Sequence, residues 1–247
     1  MKAYMTDKNN LWLCTFKIVI LCLALSIFPQ IPGQADTSII FIPPRGGAPK
    51  DTRGTASRGD SNCGENSTDR VQRLMALAPN GSHNGFTLSE RPTLFVYVPP
   101  TSARQALFAV KDEAGKLHYQ SILPLTGNEG AIGLTLPPTA PPLEINKRYQ
   151  WGFAILCSGQ LKPDSPFVSI WIQRTQQNPN LTSQLQRSSE IERAALYASN
   201  GVWYDMLKTL AELKQQHPQD KSLAATWERL LESVGLSEIS SKPLVSN

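Results

Sequence analysis

The sequence predicts a mainly β protein with a C-terminal α segment, because the pattern of apolar residues changes twice along its 247 residues. Residues 71–176 hold short apolar runs separated by turn residues, which is typical of a β-sandwich. Residues 183–236 instead repeat apolar residues every three or four positions, which indicates helices. Residues 36–70 show neither period and are rich in Gly, Pro and Arg, so they predict a flexible linker.

The first 35 residues have the order of a secretory signal peptide. Lys2 and Lys8 precede the apolar run "IVILCLALSIF", and Gly33 and Ala35 then supply the small residues of a cleavage site. We predict cleavage after Ala35, a periplasmic or extracellular location, and no membrane span in the mature chain. The alternative is an uncleaved N-terminal anchor, since residues 11–28 approach the length that spans a bilayer.

Removal of residues 1–35 leaves a chain that is nearly neutral. The whole sequence has 24 Lys and Arg and 20 Asp and Glu, a formal charge of +4. The removed segment contains three lysines and one aspartate, so 21 basic and 19 acidic residues remain, a charge of +2. Because so small an excess gives no strong attraction to polyanions, we predict no nucleic-acid partner.

The linker contains the tripeptide Arg58-Gly59-Asp60, which matches the sequence that adhesion receptors bind. A short motif is informative only in a structural context that presents it, and this one lies among Gly, Ser and Thr without periodicity. We therefore interpret the segment as a tether that leads to Cys63.

Cys63 and Cys157 are the two cysteines that remain after residue 35. An even number of cysteines in an exported chain favours a disulfide between them. The bridge would link positions separated by 94 residues, for which chain entropy allows about 4 to 5 kcal/mol as an upper limit. The alternative is a reactive thiol pair or a metal site, which the absence of CxxC spacing and of a nearby histidine disfavours.

Seven apolar runs, spaced at roughly 10 to 18 residues, predict the strands of the sandwich. They cover residues 73–78, 93–98, 106–111, 117–122, 131–136, 149–156 and 167–174. The turn "DEAG" joins the third and fourth runs as a hairpin, with Gly115 at positive φ. Strict alternation places Trp151 and Phe153 on one core-facing side of the sixth run.

The segment "PLEINKRYQW" resembles the turn that opens a core strand in immunoglobulin-like and fibronectin-like domains. Tyr149 would then be the corner tyrosine, whose hydroxyl bonds the upstream backbone, and Trp151 would fill the core. We therefore predict an immunoglobulin/fibronectin-like β-sandwich.

The helical part resembles one tetratricopeptide repeat, because its Tyr, Gly, Trp and Pro residues have the spacing of that motif: Tyr197, Gly201, Trp203 and Pro218. Gly201 would separate two helices and Trp203 would begin the second. Because a single repeat makes no solenoid, we predict a helical hairpin closed by a third helix over residues 221–234. Residues 237–247 are predicted to be a tail.

Residues with catalytic chemistry form no recognisable constellation. His83, His118 and His217 are scattered, and HExxH, GxSxG, Walker and GxGxxG motifs are all missing. No spacing singles out a pair of carboxylates of the kind that glycosidases use. We predict no catalytic residue, no metal and no cofactor.

Four aromatic residues of the predicted strands form a candidate binding surface: Phe95, Tyr97, Tyr119 and Trp171. They alternate with aliphatic positions, so one sheet would expose an aromatic face for sugar rings or another protein. In the alternative, the helices cover this face and the same residues belong to the core.

The combination of "RPTLFVYVPP", "DEAGKLHYQS", "PLEINKRYQWGFAILC" and "ALYASNGVWYDMLKTLAEL" resembles the cyanobacterial family known as domain of unknown function 928. The resemblance runs from about residue 43 to residue 236. It implies an exported protein and supports the pairing of Cys63 with Cys157, which stand at the family's cysteine positions. It implies no activity, cofactor or catalytic residue.

We therefore expect an exported, non-catalytic interaction module of the cell envelope that binds an envelope protein or glycan. The alternative function is a hydrolase acting on envelope polysaccharide or peptide. Such an enzyme would bring two carboxylates, or a histidine and a carboxylate, together in a cleft. Fold alone does not decide between them.

Overall fold

The structure is a computed structural model that describes residues 39–44, 63, 73–79 and 85–245. All of these residues belong to one compact unit, Thr37–Asn247. The predicted signal segment, the Arg58-Gly59-Asp60 tripeptide and His83 lie outside the described residues, as does most of the predicted linker.

Within the described ranges, nine strands form two mixed sheets. They are β1 Met75–Ala76, β2 Gly85–Thr87, β3 Thr93–Val98, β4 Gln105–Asp112, β5 Leu117–Pro124, β6 Gly130–Thr135, β7 Arg148–Ile155, β8 Phe167–Arg174 and β9 Leu244–Val245. The four-stranded sheet has the order β1-β3-β6-β9 and the five-stranded sheet the order β2-β8-β7-β4-β5. Neighbours are antiparallel, except that β2 is parallel to β8 and β6 is parallel to β9.

The two sheets share one hydrophobic core. Every second residue of β7 is buried, beginning with Tyr149, Trp151 and Phe153, as alternation predicted. Strand β3 is different, because all six of its residues are buried. A strand buried on both sides lies between two layers of protein, so the four-stranded sheet has a covered outer side as well as a covered inner side.

Both predicted turns of the sandwich are present. The Tyr149 hydroxyl accepts a hydrogen bond of 3.1 Å from the Glu144 N–H, so this tyrosine ties the turn before β7 to the strand. In the β4–β5 hairpin, Gly115 has φ +78° and donates its N–H to the Asp112 carbonyl at 2.9 Å. The positive φ explains why a glycine stands at this position.

The described chain then forms four α-helices and one short 3-10 turn. They are α1 Pro179–Leu185, α2 Glu190–Ser199, α3 Trp203–Gln216, α4 Lys221–Ser233 and the turn Ser237–Ile239. The side chains of Asn178 and Asp220 accept N–H groups at the starts of α1 and α4. Three helices correspond to the three predicted apolar stripes, and α1 is additional.

Helix α3 is joined to both sheets through its first turn. The Trp203 indole N–H donates to the Leu77 carbonyl at 2.8 Å, next to the four-stranded sheet. The Tyr204 hydroxyl accepts the indole N–H of Trp151, from the five-stranded sheet, at 3.3 Å. Gly85 in β2 has no room for a side chain, since a Cβ there would lie 2.8 Å from Trp203 Cβ. The sandwich and the helices therefore form one core.

Two segments that we predicted to be a linker and a tail contact the folded unit. Residues 39–44 run along the helices: the Phe41 ring lies 4.9 Å from that of Trp203, and the Ile42 N–H donates to the Ala198 carbonyl. At the other end, Leu244–Val245 is strand β9, beside β6. Gly201, which separates α2 from α3 at φ +72°, is close to residue Pro44 of the first segment.

The Tyr149 hydroxyl gives a direct test of the turn before β7. We expect Tyr149→Phe to lower the free energy of unfolding by about 1 to 2 kcal/mol, because the Glu144 N–H loses its acceptor inside the protein. Urea unfolding measures the difference. Tyr119→Phe is the matched control, since no hydrogen bond of its hydroxyl occurs within the described residues. Equal stability of the two variants would contradict this role of Tyr149.

Candidate interaction surface

The four aromatic residues of the predicted binding surface do not share one face. Phe95 and Tyr97 lie in β3 of the four-stranded sheet and are buried, whereas Tyr119 and Trp171 lie in the five-stranded sheet and are half-buried. Helix α3 contacts β3, in keeping with the alternative in which helices cover this surface. The prediction of a common aromatic face was wrong, because alternation along a strand does not reveal which sheet the strand joins.

The Tyr97 hydroxyl is hydrogen-bonded within the protein. It donates to Glu129 Oε2 at 3.0 Å, and the same carboxylate oxygen accepts Lys242 Nζ at 3.0 Å. Burial, followed by the hydrogen bond to Glu129, raises the pKa of the Tyr97 hydroxyl well above its usual range. This cluster fastens the segment before β9 to the four-stranded sheet.

The five-stranded sheet has a second side, which we call the outer face, where Ala154 and Ser169 are buried and the other residues are half-buried or exposed. It consists of the residues whose side chains alternate with the core positions. Strand register sets them in rows across the sheet. The residues that matter here are Leu107, Ala109, Gln120, Ile122, Gln150, Gly152, Ala154, Phe167, Ser169 and Trp171.

One row of the outer face is an apolar ridge. Register aligns Phe167, Ala154, Leu107 and Ile122 across four strands. Phe167 is 48% exposed and Ile122 is 57% exposed, so both ends of the row reach solvent. The Phe167 ring lies over Gly152, where a Cβ would come within 2.8 Å of the ring. Ala154, in the middle of the row, is buried, so the row is low between its two exposed ends.

The polar residues beside the ridge are mostly amides. The outward positions include four glutamines: Gln105, Gln120, Gln150 and Gln173. None of the outward strand positions of this sheet is Asp or Glu. Arg148 forms an ion pair with Glu113, whose Oε1 lies 3.3 Å from the Arg148 Nε. Lys111 is exposed. The face thus offers neutral donors and acceptors with a slight positive charge.

A groove of about 530 Å³ opens at one end of the outer face. It lies where β4 begins and where β5 and β7 end, and the Arg104, Gln105, Ile122, Pro124 and Cys157 side chains are among those that line it. Arg104 makes no ion pair with a carboxylate in the described part of the chain. The groove therefore adds one cation to the end of the apolar ridge.

Cys157, one of the two cysteines of the predicted disulfide, lines this groove. Cys63 and Cys157 are joined, with their Cα atoms 5.1 Å apart, a separation typical of a disulfide. The Leu156 N–H donates to the Gln105 carbonyl at 2.9 Å, so the chain before Cys157 is also held by β4. These two connections hold the groove wall after β7.

Asp205, a buried acid of the helical part, is hydrogen-bonded to the chain around β2. Asp205, in the first turn of α3, accepts the Thr87 hydroxyl at 2.8 Å and the Leu88 N–H at 3.0 Å. Burial raises the pKa of the Asp205 carboxyl, and the two hydrogen bonds from β2 and the residue after it oppose that shift. This acid joins β2 to α3.

The other side chains that could take part in catalysis or bind a metal are dispersed. His118 Nε2 lies 2.9 Å from the Pro141 carbonyl, and His217 ends α3. Among the described residues, no three His, Cys, Asp or Glu side chains come together as a metal site. The same residues include no helix with the length and hydropathy needed to cross a bilayer.

The chain matches the family profile of domain of unknown function 928, DUF928, over residues 53–244. This match covers both cysteines, all four helices and the strands from β1 to β8. The chain belongs to the DUF928 family. A comparison with curated proteins finds no match. In this DUF928 protein, the outer face and its groove lie entirely within the matched region.

The sequence contains a signal for the outer face. In "FVSIWIQR", the core positions Val168, Ile170 and Ile172 leave Phe167 and Trp171 on the opposite side of β8. Trp171 was predicted as a surface residue, but Phe167 and Ile122 were not. Phe167 and Ile122 can be assigned to one surface only when the order of four strands in the sheet is known. Alternation within a single strand does not give that order.

The disulfide allows a quantitative test of this end of the DUF928 protein. We expect Cys157→Ser to lower the free energy of unfolding by up to about 4 to 5 kcal/mol, because the unfolded chain regains the entropy that the bridge removes. Urea unfolding measures the loss. Cys63→Ser is the matched control and should give an equal loss, with no further effect in the double variant. Free thiols at both positions in unreduced protein would contradict the bridge.

Proposed function

We propose that this DUF928 protein is an exported, non-catalytic interaction module of the cell envelope that binds glycan chains through its outer face. The observation that carries the proposal is the apolar ridge, exposed at Phe167 and Ile122, beside amide side chains and without acids. A partner protein is the other expected ligand class, and the composition of the face favours a glycan.

The chemistry of a sugar ring matches this surface. A pyranose has apolar C–H faces that lie flat on aromatic rings, and its hydroxyls both donate and accept hydrogen bonds. Glutamine amides offer two donors and one acceptor oxygen, so they pair with hydroxyls in either direction. The ridge crosses four strands, about 14 Å, which suits an oligosaccharide more than a single sugar.

The composition is less suited to a tight protein interface. The centres of such interfaces are rich in large aromatic and Arg side chains that fill pockets on the partner. Here the middle of the ridge is Ala154 and Leu107, next to Gly152 and Ala109. A low, flat centre with hydrogen-bonding amides beside it favours a ligand that lies across the sheet.

The finer fold assignment is also part of the proposal. With β3, β4, β6, β7 and β8 assigned as strands B, C, E, F and G, B lies beside E, while C, F and G share the other sheet. This order and the corner Tyr149 support an immunoglobulin-like sandwich. Gly201 at the α2–α3 turn and Trp203 at the start of α3 support a tetratricopeptide-like hairpin.

Export to a cyanobacterial envelope is proposed from the N-terminal sequence and from the resemblance stated above. The Cys63–Cys157 bridge supports an oxidising compartment. We expect protein recovered from that compartment to begin at Asp36 and to have an intact mass two hydrogens below that of the reduced chain. A product that retains Met1 would instead support the uncleaved anchor.

Binding to insoluble glycans tests the function. We expect the purified protein to sediment with peptidoglycan sacculi or with cellulose, and Phe167→Ala to weaken binding about tenfold, since loss of one ring contact costs about 1.4 kcal/mol. Gln150→Ala tests the amides in the same assay. The matched control is Ile145→Ala, because Ile145 is 47% exposed but lies outside the outer face.

Three results would count against the proposal. The wild-type protein could fail to bind either glycan, or Phe167→Ala could bind as tightly as wild type. Release of soluble sugar from the glycan would instead favour the alternative function, a hydrolase acting on envelope polysaccharide.

A further inference from the structure

The edges of the two sheets differ greatly in length. Strands β1 and β9 have two residues each and β2 has three, whereas β5 has eight. The edge of β2 is also covered, because the Phe86 N–H donates to the Gly201 carbonyl at 3.2 Å and α3 contacts this strand. Among the strands described, β5 is the one long edge.

Strand β5 lacks the features that usually protect an edge. Its sequence, "LHYQSILP", contains no Lys, Arg, Asp or Glu, and a proline occurs only at its end. Leu117 is 46% exposed and Ile122 is 57% exposed. Apart from β4, no described segment forms backbone hydrogen bonds with residues 119–124 of this strand. Unprotected edges of this kind pair readily with another strand.

We propose that two copies of this protein associate through β5, paired antiparallel across a two-fold axis perpendicular to the sheet. An antiparallel pair of identical strands is self-complementary, so one symmetric contact satisfies both copies. Because the strand has no charged residues, the pairing brings no like charges together. The two five-stranded sheets then form one sheet of ten strands.

Gln120, near the middle of β5, lies close to the proposed axis. Its side chain is exposed on the outer face, so the two copies of this residue approach each other across the interface. A glutamine amide carries both donors and an acceptor, so two of them pair reciprocally. The side chain at the axis therefore suits pairing with its own copy.

The assembly closes at two copies. Pairing uses the β5 edge of each subunit, and the other edge strands described, β1, β2 and β9, have only two or three residues. A two-fold axis pairs β5 with the β5 of the second copy, so the contact is closed and no third copy adds at the same edge. The inference stands independently of glycan binding, although the two-fold axis places both outer faces on the same side.

Charge reversal at Gln120 tests the contact. We expect wild-type protein to sediment at twice the mass of one chain, and Gln120→Lys or Gln120→Glu alone to weaken association at least tenfold through like charges across the axis. An equimolar mixture of the two variants should recover the dimer. Gln216→Lys is the matched control, an identical change at an exposed position at the end of α3.

Sedimentation equilibrium gives the mass, and circular dichroism checks that each variant is folded. Wild-type protein that stays monomeric across a wide range of concentrations would overturn the proposal, whatever the variants do. It would also be overturned if both folded variants dimerised as well as the control.

Discussion

The first turn of α3 is the contact on which the rest of the structure depends. Trp203 hydrogen-bonds the chain beside the four-stranded sheet, and Tyr204 hydrogen-bonds Trp151 of the five-stranded sheet. All three side chains are buried, so these polar groups are satisfied inside the core. One helix end thus holds both sheets and joins the helices to the sandwich. Position 85 requires a glycine because this turn of the helix lies against it.

This arrangement divides the sandwich into a covered part and an open part. Helix α3 contacts β3, the C-terminal strand β9 pairs with β6, and all six residues of β3 are buried. The five-stranded sheet keeps an outer face and the edge of β5 accessible within the described structure. Binding across the face and self-association along the edge would therefore use adjoining surfaces of one sheet, which share the outward residues of β5.

The groove end of that sheet is held by covalent and hydrogen-bonded connections. The disulfide closes a separation of 94 residues, and the Leu156–Gln105 backbone bond holds the chain just before it. At the other end, the Tyr149 hydroxyl bond holds the turn that enters β7. A central strand fixed at both ends gives the outer face little freedom to deform, which reduces the entropy lost when a ligand binds.

The sequence by itself determined the parts that depend on local chemistry. Alternation predicted the core side of β7, the segment before Tyr149 predicted the hydroxyl bond to the upstream backbone, apolar stripes predicted three helices, and the cysteine count predicted the bridge. Tertiary structure decided which sheet β3 joins, and therefore that Phe95 and Tyr97 are core residues and not a binding surface. It also placed residues 39–44 on the helices and β9 beside β6. The reason is physical. The period of a strand fixes which of its side chains share a side, whereas the layer that covers that side is formed by segments distant in the sequence.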